Sequence, residues 1–263
     1  MQVIIQPQTA ERRTTMKVDI FHYTNQGTRP INEDSFDVSV KDGNYTVAVC
    51  DGLGGHECGE VASGTAVTNI ISGIDSLEEV SAESIQNVMS RINDFLIKKQ
   101  QENPNVNGMR TTAVACILRD NNLWYFNTGD SRIYIFRNGY LNSMSKDHSI
   151  SMTNVDMGEM RFRDIRTDPD RNKLYKVLGQ EINGEVSTVY NTINLQPGDA
   201  FLLCSDGFWE YVLEEEMEVD LSKAGSAEDW ADFMLVRLLN RVHGDYDNYT
   251  VVCGIVTELD KEV

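Results

Sequence analysis

Basic side chains are scarce in this 263-residue sequence. There are 23 Lys and Arg residues against 41 Asp and Glu residues, which leaves a formal net charge of −18. A body with that charge repels nucleic acid and anionic lipid surfaces, so we predict neither as a partner. The same excess is compatible with divalent cations. Hydrophobic residues make up 41% of the chain, which is typical of a folded domain and too many for an acidic disordered segment.

Cysteine is also sparse, with five residues and no C-x-x-C spacing, so neither a disulfide framework nor a zinc knuckle is predicted. Most of the cysteines lie in or beside apolar runs, as small buried residues of a reducing compartment do. No run approaches the roughly 20 apolar residues that a membrane span requires. The first residues also lack the basic start and apolar core of a signal peptide. We predict a cytoplasmic protein whose residues 1–16 form a loose N-terminal arm.

Proline is rare as well, with five residues, and no Pro/Gly/Ser-rich linker divides the chain. We therefore predict a single domain over residues 17–263. Runs rich in Val, Ile, Tyr and Phe indicate many β-strands, and Asn138-Gly139 between two such runs indicates a hairpin. Helical periodicity appears over 60–74, 81–101 and 226–242. Because these helices do not alternate regularly with strands, the pattern favours a sheet-rich α+β fold over a parallel βαβ sheet.

Aspartates recur at the ends of the strand-like runs. They are Asp34, Asp51, Asp130, Asp206 and Asp247. One such residue is typical of a turn cap. Five are harder to explain in this way, because carboxylates brought together repel one another unless a cation neutralises them. Hard oxygen ligands, with no competing His/Cys cluster, indicate Mg²⁺ or Mn²⁺.

Two other features accompany these acids. Gly52 follows Asp51, and a residue without a side chain lets its backbone carbonyl approach a metal ion. The glycines of 51–55 lack the lysine and the spacing of nucleotide-binding loops, so alone they are a weak signal. Arg29 lies five positions before Asp34. From the residues alone, it is either the partner in a salt bridge or a guanidinium fork for a phosphate group.

Seven short segments together resemble the protein phosphatase 2C family, in its bacterial form. They are RPINED (29–34), VCDGLGGH (49–56), GMRTT (108–112), GDSR (129–132), DHS (147–149), SDG (205–207) and DN (247–248). The family consists of metal-dependent protein serine/threonine phosphatases. The resemblance implies two antiparallel β-sheets packed as a sandwich, with α-helices on both outer faces and a metal-containing cleft at one end.

The resemblance also implies a metal centre. By position in the motifs, Asp51 corresponds to the ligand that bridges two central Mn²⁺ or Mg²⁺ ions, and Gly52 corresponds to a carbonyl ligand beside it. Asp206 and Asp247 correspond to the further carboxylate ligands. Asp130, together with Asp206, corresponds to the site of a third, weaker ion.

Catalytic roles follow from the same resemblance. Arg29 corresponds to the arginine that holds the substrate phosphate, and Asp34 to an aspartate that acts near the metals through water. Together with Asp51 these form the predicted catalytic set. A metal-bridged hydroxide would attack phosphoserine or phosphothreonine directly, without a phosphoenzyme. The implied partners are phosphorylated proteins, the targets of a cognate serine/threonine kinase.

The sequence departs from the family pattern in two places. Leu53 stands where some members have a histidine proposed to protonate the leaving group, and the role of the nearby His56 is left open. The segment 151–180 corresponds to the family's variable flap. Its upstream basic residues have two open interpretations, either contact with a phosphorylated substrate or pairing with nearby acids; they are Arg161, Arg163, Arg166 and Arg171.

Two alternatives to a phosphatase remain. An inactive binding or sensing module would keep the fold but lose metal ligands, whereas all the expected ligands are present here. A Ca²⁺-binding adhesion sandwich would also suit acidic strand ends, but it predicts an extracellular setting that the cysteines do not favour.

Overall fold

Two antiparallel β-sheets lie face to face at the centre of the molecule, and helices cover the outer face of each. The computed structural model describes residues 16–54 and 58–260. The four-layer arrangement confirms the predicted fold class. Residues 1–15 of the predicted arm and His56 lie outside the described residues, and Met16 is buried beside the first strand.

The strands form the two central layers of the molecule. In chain order they are β1 (Lys17–Asn25), β2 (Asp34–Lys41), β3 (Asn44–Leu53), β4 (Arg110–Thr111), β5 (Ala113–Arg119), β6 (Asn122–Thr128), β7 (Arg132–Arg137), β8 (Tyr140–Met144), β9 (Thr188–Val189), β10 (Ile193–Asn194), β11 (Ala200–Cys204) and β12 (Tyr249–Glu258). The five-stranded sheet has the order β1-β12-β11-β7-β8. The other sheet has the order β10-β6-β5-β3-β2, with β4 added to β3 and β9 to β6.

The helices are α1 (Cys58–Asp75), α2 (Ala82–Glu102), α3 (Ile150–Asp156), α4 (Asp206–Trp209), α5 (Glu214–Leu221) and α6 (Ala227–Arg241). The three long ones match the predicted periodic segments. The side chains of Ser81 and Ser226 accept hydrogen bonds at the first turns of α2 and α6, which is why these helices begin there. Within the described part of the chain, no helix combines the length and the apolar character needed to cross a bilayer.

Three apolar layers hold the sandwich together. One fills the space between the two sheets, including Val47 and Leu203. A second joins the larger sheet to α1 and α2, and a third joins the five-stranded sheet to α4, α5 and α6. The predicted hairpin is present, because Asn138 and Gly139 both have positive φ, 54° and 81°, between β7 and β8. The segment 151–180 contains most of α3 and a 3₁₀ helix over Phe162–Thr167.

The strand pairing brings the predicted acids to one end of the sandwich. In the larger sheet, Asp34 at the start of β2 lies opposite Asp51 near the end of β3. In the other sheet, β11 and β12 are antiparallel neighbours, so the second residue after β11 and the second residue before β12 come close together. These are Asp206 and Asp247. Topology thus explains how acids far apart in sequence come together.

Candidate active site

A cleft of about 170 Å³ opens at this end of the sandwich. Its lining consists of Arg29, Glu33, Asp51, Gly52, Leu53, Gly54, Asp130, Asn172, Leu174, Asp206, Asp247 and Asn248. Six of the seven predicted site residues are in that lining. The seventh, Asp34, is buried and lies opposite Asp51 in the β2–β3 pair. The structure therefore brings the predicted residues together, while their individual roles stay predictions.

The backbone around Asp51 is fixed by its neighbours. The Asp51 amide donates to Thr112 Oγ1 at 2.9 Å, and the Thr112 amide donates to the Asp51 carbonyl at 2.8 Å. A Cβ added at Gly52 would lie 2.2 Å from the carbonyl oxygen of Gly59 in the first turn of α1. Position 52 therefore has to be glycine for α1 to begin this close to the cleft.

A second close approach positions Asp206 and Asp247. A Cβ at Gly207 would lie 2.0 Å from the carbonyl oxygen of Asn248, so glycine lets the two strand ends touch. The Asn248 side chain donates to two carbonyls at 2.8 and 3.0 Å and accepts from the Glu33 amide at 2.8 Å. Asn248 was not among the predicted site residues. Its place directly after Asp247 in a recognised motif was the signal for it.

The two carboxylate oxygens of Asp34 differ in their hydrogen bonding. Its Oδ2 accepts from Ser205 Oγ at 2.7 Å, whereas Oδ1 is buried without a hydrogen-bond partner within residues 16–54 and 58–260. Burial raises the pKa of Asp34 to about 6, and the Ser205 hydrogen bond opposes that rise. A buried acceptor without a partner is costly unless water or a cation completes it.

Burial and mutual repulsion dominate the electrostatics of the cleft. Burial is the largest cause that raises the pKa of Asp51 well above its usual value, followed by the charges of Asp206 and Asp34. Asp206 behaves in the same way, with burial first and Asp130 next. Burial also raises the pKa of Asp130 to about 7, with repulsion from Asp147 second. A cation in the cleft would remove this repulsion.

The oxygen donors fit a hydrated divalent ion. Across the described ranges, no three His, Cys, Asp or Glu side chains form a ready cage for a metal ion. The cleft instead offers separate carboxylates and the backbone of Gly52. Mg²⁺ and chemically similar ions keep several waters and take only one or two protein carboxylates each, so this open donor set suits them.

Asp130 is held from its backbone side. Trp209 Nε1 donates to the Asp130 carbonyl at 2.9 Å. The adjacent Ser131 hydroxyl lies 2.7 Å from Thr112 Oγ1, which also accepts from Asp51. Trp209 was not predicted as a site residue, although it follows the SDG motif by only two positions.

Arg29 forms the salt bridge that was one of its two alternatives. Its Nη2 lies 2.7 Å from Asp247 Oδ2, and the Arg29 side chain is 56% exposed. The other Asp247 oxygen accepts from the Asn248 amide at 2.8 Å. The guanidinium therefore lies at the mouth of the cleft, accessible to a phosphate group.

The flap arginines pair with acids. Arg161 binds Asp164 at 2.7 and 2.9 Å, and Arg166 binds Glu214 at 2.8 Å through both carboxylate oxygens. Arg171 pairs with Glu210, while Arg163 is exposed and 3.9 Å from Asp164. Of the two open interpretations, the structure shows the pairing. Uncharged flap residues reach the cleft instead, namely Asn172 and Leu174.

Some residues of the recognised motifs support the fold and do not line the cleft. Arg132 is fully buried and binds Asp147 through two hydrogen bonds of 2.8 and 2.7 Å. His148 Nδ1 accepts from the Gly129 amide at 3.0 Å, and burial lowers the pKa of His148 to about 4. A neutral, hydrogen-bonded histidine here supports the Gly129–Asp130 turn and does not face the cleft lining.

Comparisons with known proteins agree with this geometry. The family model for protein phosphatase 2C matches residues 24–247. The serine/threonine phosphatase Stp of Listeria monocytogenes is 34% identical over 230 residues, which are 84% of this chain and 88% of that protein. The structure of Stp1 from Staphylococcus aureus has a TM-score of 0.80 and 28% identity, covering 97% of this chain and all of the other.

The catalytic domain of the serine/threonine phosphatase PstP, solved with two manganese ions, has a TM-score of 0.79 and 27% identity. It covers 93% of this chain and all of its own. Phosphatases of this type depend on metal ions and act on phosphorylated proteins. This chain therefore belongs to the bacterial protein phosphatase 2C family and is a serine/threonine protein phosphatase.

Proposed function

We propose that the cleft is the catalytic centre and that its acids hold Mn²⁺ or Mg²⁺ ions. The supporting observation is that carboxylates from both sheets line one cleft, where no basic side chain except Arg29 lies among the described lining residues. Asp51, with the Gly52 carbonyl, Asp206 and Asp247 would hold two central ions. Asp130, with Asp206, would hold a third and weaker one.

Bound ions of this kind lower the pKa of a water and neutralise charge on the phosphoryl oxygens. The chain's own contribution is to hold the oxygen ligands in position before an ion or a substrate binds. Thr112 holds the Asp51 backbone, and the Asn248 side chain binds the backbone of the stretch before β2. The glycines let α1 approach Gly52 and let the Asn248 carbonyl approach Gly207. Because these donors are already in place, little reorganisation is needed when a substrate arrives.

Asp34 Oδ1 would accept a hydrogen bond from a water beside Asp51, because this buried oxygen has no partner among the described residues. The described lining contains no Ser, Thr, Cys or His that could act as a nucleophile. Asp51 also lacks the D-x-D arrangement of aspartyl-phosphate enzymes, since Gly52 and Leu53 follow it. Both facts support direct attack of water on phosphorus, without a phosphoenzyme.

Arg29 would bind the phosphate group of the substrate. Its exposure at the cleft mouth lets the guanidinium turn from Asp247 towards a phosphate, where a fork of N–H donors fits the anion. Asp247 would then be free to act as a ligand. Leu53 lines the cleft but cannot donate a proton, so the leaving group has to be protonated by another group.

The test is hydrolysis of a phosphothreonine peptide with Mn²⁺, compared between wild type and Asp206→Asn. We expect the variant to lose nearly all activity and tight Mn²⁺ binding. Asp199→Asn is the matched control, because Asp199 is also a buried aspartate near a strand end but pairs with Arg137 at 2.9 and 2.6 Å. Wild-type activity and Mn²⁺ binding in Asp206→Asn would refute the proposal.

We also propose the domain organisation, the substrates and the location of the protein. Residues 17–263 would form one domain, which is supported by the pairing of Lys17 in β1 with Glu258 in β12. The substrates would be targets of a cognate serine/threonine kinase, and a nucleic-acid partner is not proposed because of the charge of −18. Buried cysteines without a disulfide support a cytoplasmic location, namely Cys50, Cys116, Cys204 and Cys253.

A further inference from the structure

A chain of contacts joins the flap to the backbone of Asp130, a residue that lines the cleft. It begins at Arg166, in the 3₁₀ helix of the flap, whose side chain is only 8% exposed. Arg166 Nη2 donates to both Glu214 oxygens at 2.8 Å, and Arg166 Nε donates to the Trp209 carbonyl at 3.0 Å. We call these three residues, Arg166, Glu214 and Trp209, the flap anchor.

The flap anchor continues to Asp130 through the indole. Trp209 is 1% exposed, and its Nε1 donates to the Asp130 carbonyl at 2.9 Å. The guanidinium of buried Arg132 lies 3.5 Å from the centre of the indole ring, and Asp147 holds that guanidinium in turn. The indole therefore has little freedom to rotate, and its N–H group points at Asp130.

Asp130 lies in the turn between β6 and β7, which His148 supports at Gly129 and Trp209 supports at Asp130. Gly129 has a φ of 100°, which only glycine adopts readily, so the backbone here is not fixed by regular strand structure. A shift of the Asp130 carbonyl would move its carboxylate with it. Trp209 Nε1 donates to that carbonyl, and Arg166 of the flap donates to the carbonyl of Trp209.

We infer that Trp209 is a positioning residue that fixes Asp130 and links its placement to the seating of the flap by Arg166. This inference rests on the proposed role of Asp130 as a ligand of the third ion. Its consequence is that the flap influences the third ion without contacting it. A flap released from the anchor would weaken that ion selectively, whereas the ions held by Asp51 would remain.

The first test is Mn²⁺ titration calorimetry on Trp209→Phe. This variant keeps an aromatic ring over Arg132 but removes the N–H donor. We expect the weakest Mn²⁺ step to weaken about fivefold, as the loss of one buried hydrogen bond predicts, and the tighter steps to stay unchanged. Hydrogen exchange should also be faster at the amides of the 3₁₀ helix, Phe162–Thr167.

Trp230→Phe is the matched control. Trp230 is fully buried, and its Nε1 donates to the Met217 carbonyl at 3.0 Å, far from the cleft. This variant should lose stability but keep every Mn²⁺ step. The inference fails if Trp209→Phe binds Mn²⁺ as wild type does, or if Trp230→Phe weakens the same step to the same extent.

A second variant covers the case in which Trp209→Phe does not fold. Arg166→Gln breaks the fork to Glu214 and leaves the indole intact, and Arg161→Gln removes an exposed flap pair as its control. Arg166→Gln should speed flap exchange and weaken the third Mn²⁺ step, while Arg161→Gln should do neither. Faster flap exchange with unchanged Mn²⁺ binding would refute the coupling.

Asp51→Asn separates this inference from the proposed function. Loss of tight Mn²⁺ binding in Asp51→Asn, together with wild-type binding in Trp209→Phe, overturns the flap anchor alone. Wild-type Mn²⁺ binding in Asp51→Asn overturns the proposed metal site, and with it the basis of this inference.

Discussion

The acids of the α5–α6 region and the acids of the cleft are both largely buried, but they are neutralised in different ways. Asp220 is 2% exposed and binds Arg237 at 2.5 and 2.8 Å, and Glu216 binds Arg237 and Arg241. Asp51 and Asp206 have no salt bridge to any described residue, and burial together with the charges of neighbouring carboxylates raises the pKa of both. Arginines of the chain itself neutralise the first group, whereas the second group requires a bound cation for its charge to be neutralised.

This difference shows what acidic composition cannot reveal. A carboxylate with an arginine partner contributes to stability, and a carboxylate surrounded by other carboxylates costs stability until a cation binds. The two groups should therefore respond in opposite ways to substitution. Four experiments test that contrast.

The largest effect is expected for Asp51→Asn. Activity on a phosphothreonine peptide should fall on the order of a hundred- to a thousandfold, because the variant lacks the carboxylate proposed to hold the metal ions beside the reacting phosphate. Without metal, the variant should be more stable than wild type, because one repelling charge is gone. Urea unfolding in EDTA measures the second effect. A variant that is less stable than wild type in EDTA would contradict the comparison.

Asp220→Asn should show the reverse. We expect it to lose about 2 kcal/mol of unfolding free energy, because Arg237 keeps its charge but loses its closest partner. Activity with Mn²⁺ should stay at the wild-type level. Urea unfolding and the peptide assay measure both. Loss of activity in a folded Asp220→Asn protein would show that the two regions are not independent.

The pH dependence of Asp34→Asn gives a smaller effect. Burial holds the folded-state pKa of Asp34 at about 6, above the ordinary value of an unfolded aspartate. The folded state therefore keeps a proton that the unfolded state has lost, so this group's contribution to stability falls as pH rises through 6. The metal-free variant should gain stability relative to wild type between pH 5 and pH 7, by about 1 kcal/mol. Thermal melts in EDTA at each pH measure this difference, and a pH-independent difference would contradict it.

Arg161→Gln should have the smallest effect. Its pair with Asp164 lies on the exposed flap surface, where water and salt screen the two charges and such pairs add little stability. Stability and peptide hydrolysis should both stay near wild type. A large rise in KM for the peptide would instead indicate that Arg161 contacts the substrate, the interpretation of the flap arginines that the structure does not show.

Much of the fold follows from local sequence signals. The long helices α2 and α6 were predicted almost to their ends, because a serine cap and a regular apolar stripe mark each of them. Helix α5 was not predicted. Its acidic sequence has little apolar periodicity, and it is held by Arg237 and Arg241, which come from α6. That information is not local.

The residues of the site likewise differ in whether local sequence signals could reveal them. Strand-end aspartates next to glycine could be found from the sequence, and the motifs made their meeting expected. The supporting residues could not be found so easily. Trp209 reads as an ordinary core aromatic, and its role depends on the direction of one N–H group towards Asp130. The pairing of two flap arginines also depends on acids far away in the sequence, Glu214 for Arg166 and Glu210 for Arg171.

The cleft lies across the boundary between the two sheets. Asp34 and Asp51 belong to the larger sheet, Asp206 and Asp247 flank strands of the smaller one, and Asp130 lies on the connection between them. An ion shared by these acids would act as a non-covalent cross-link between the halves of the sandwich. Its loss would let the halves separate sooner, so metal removal should shorten the lifetime of the native state and increase proteolysis at the boundary between the sheets.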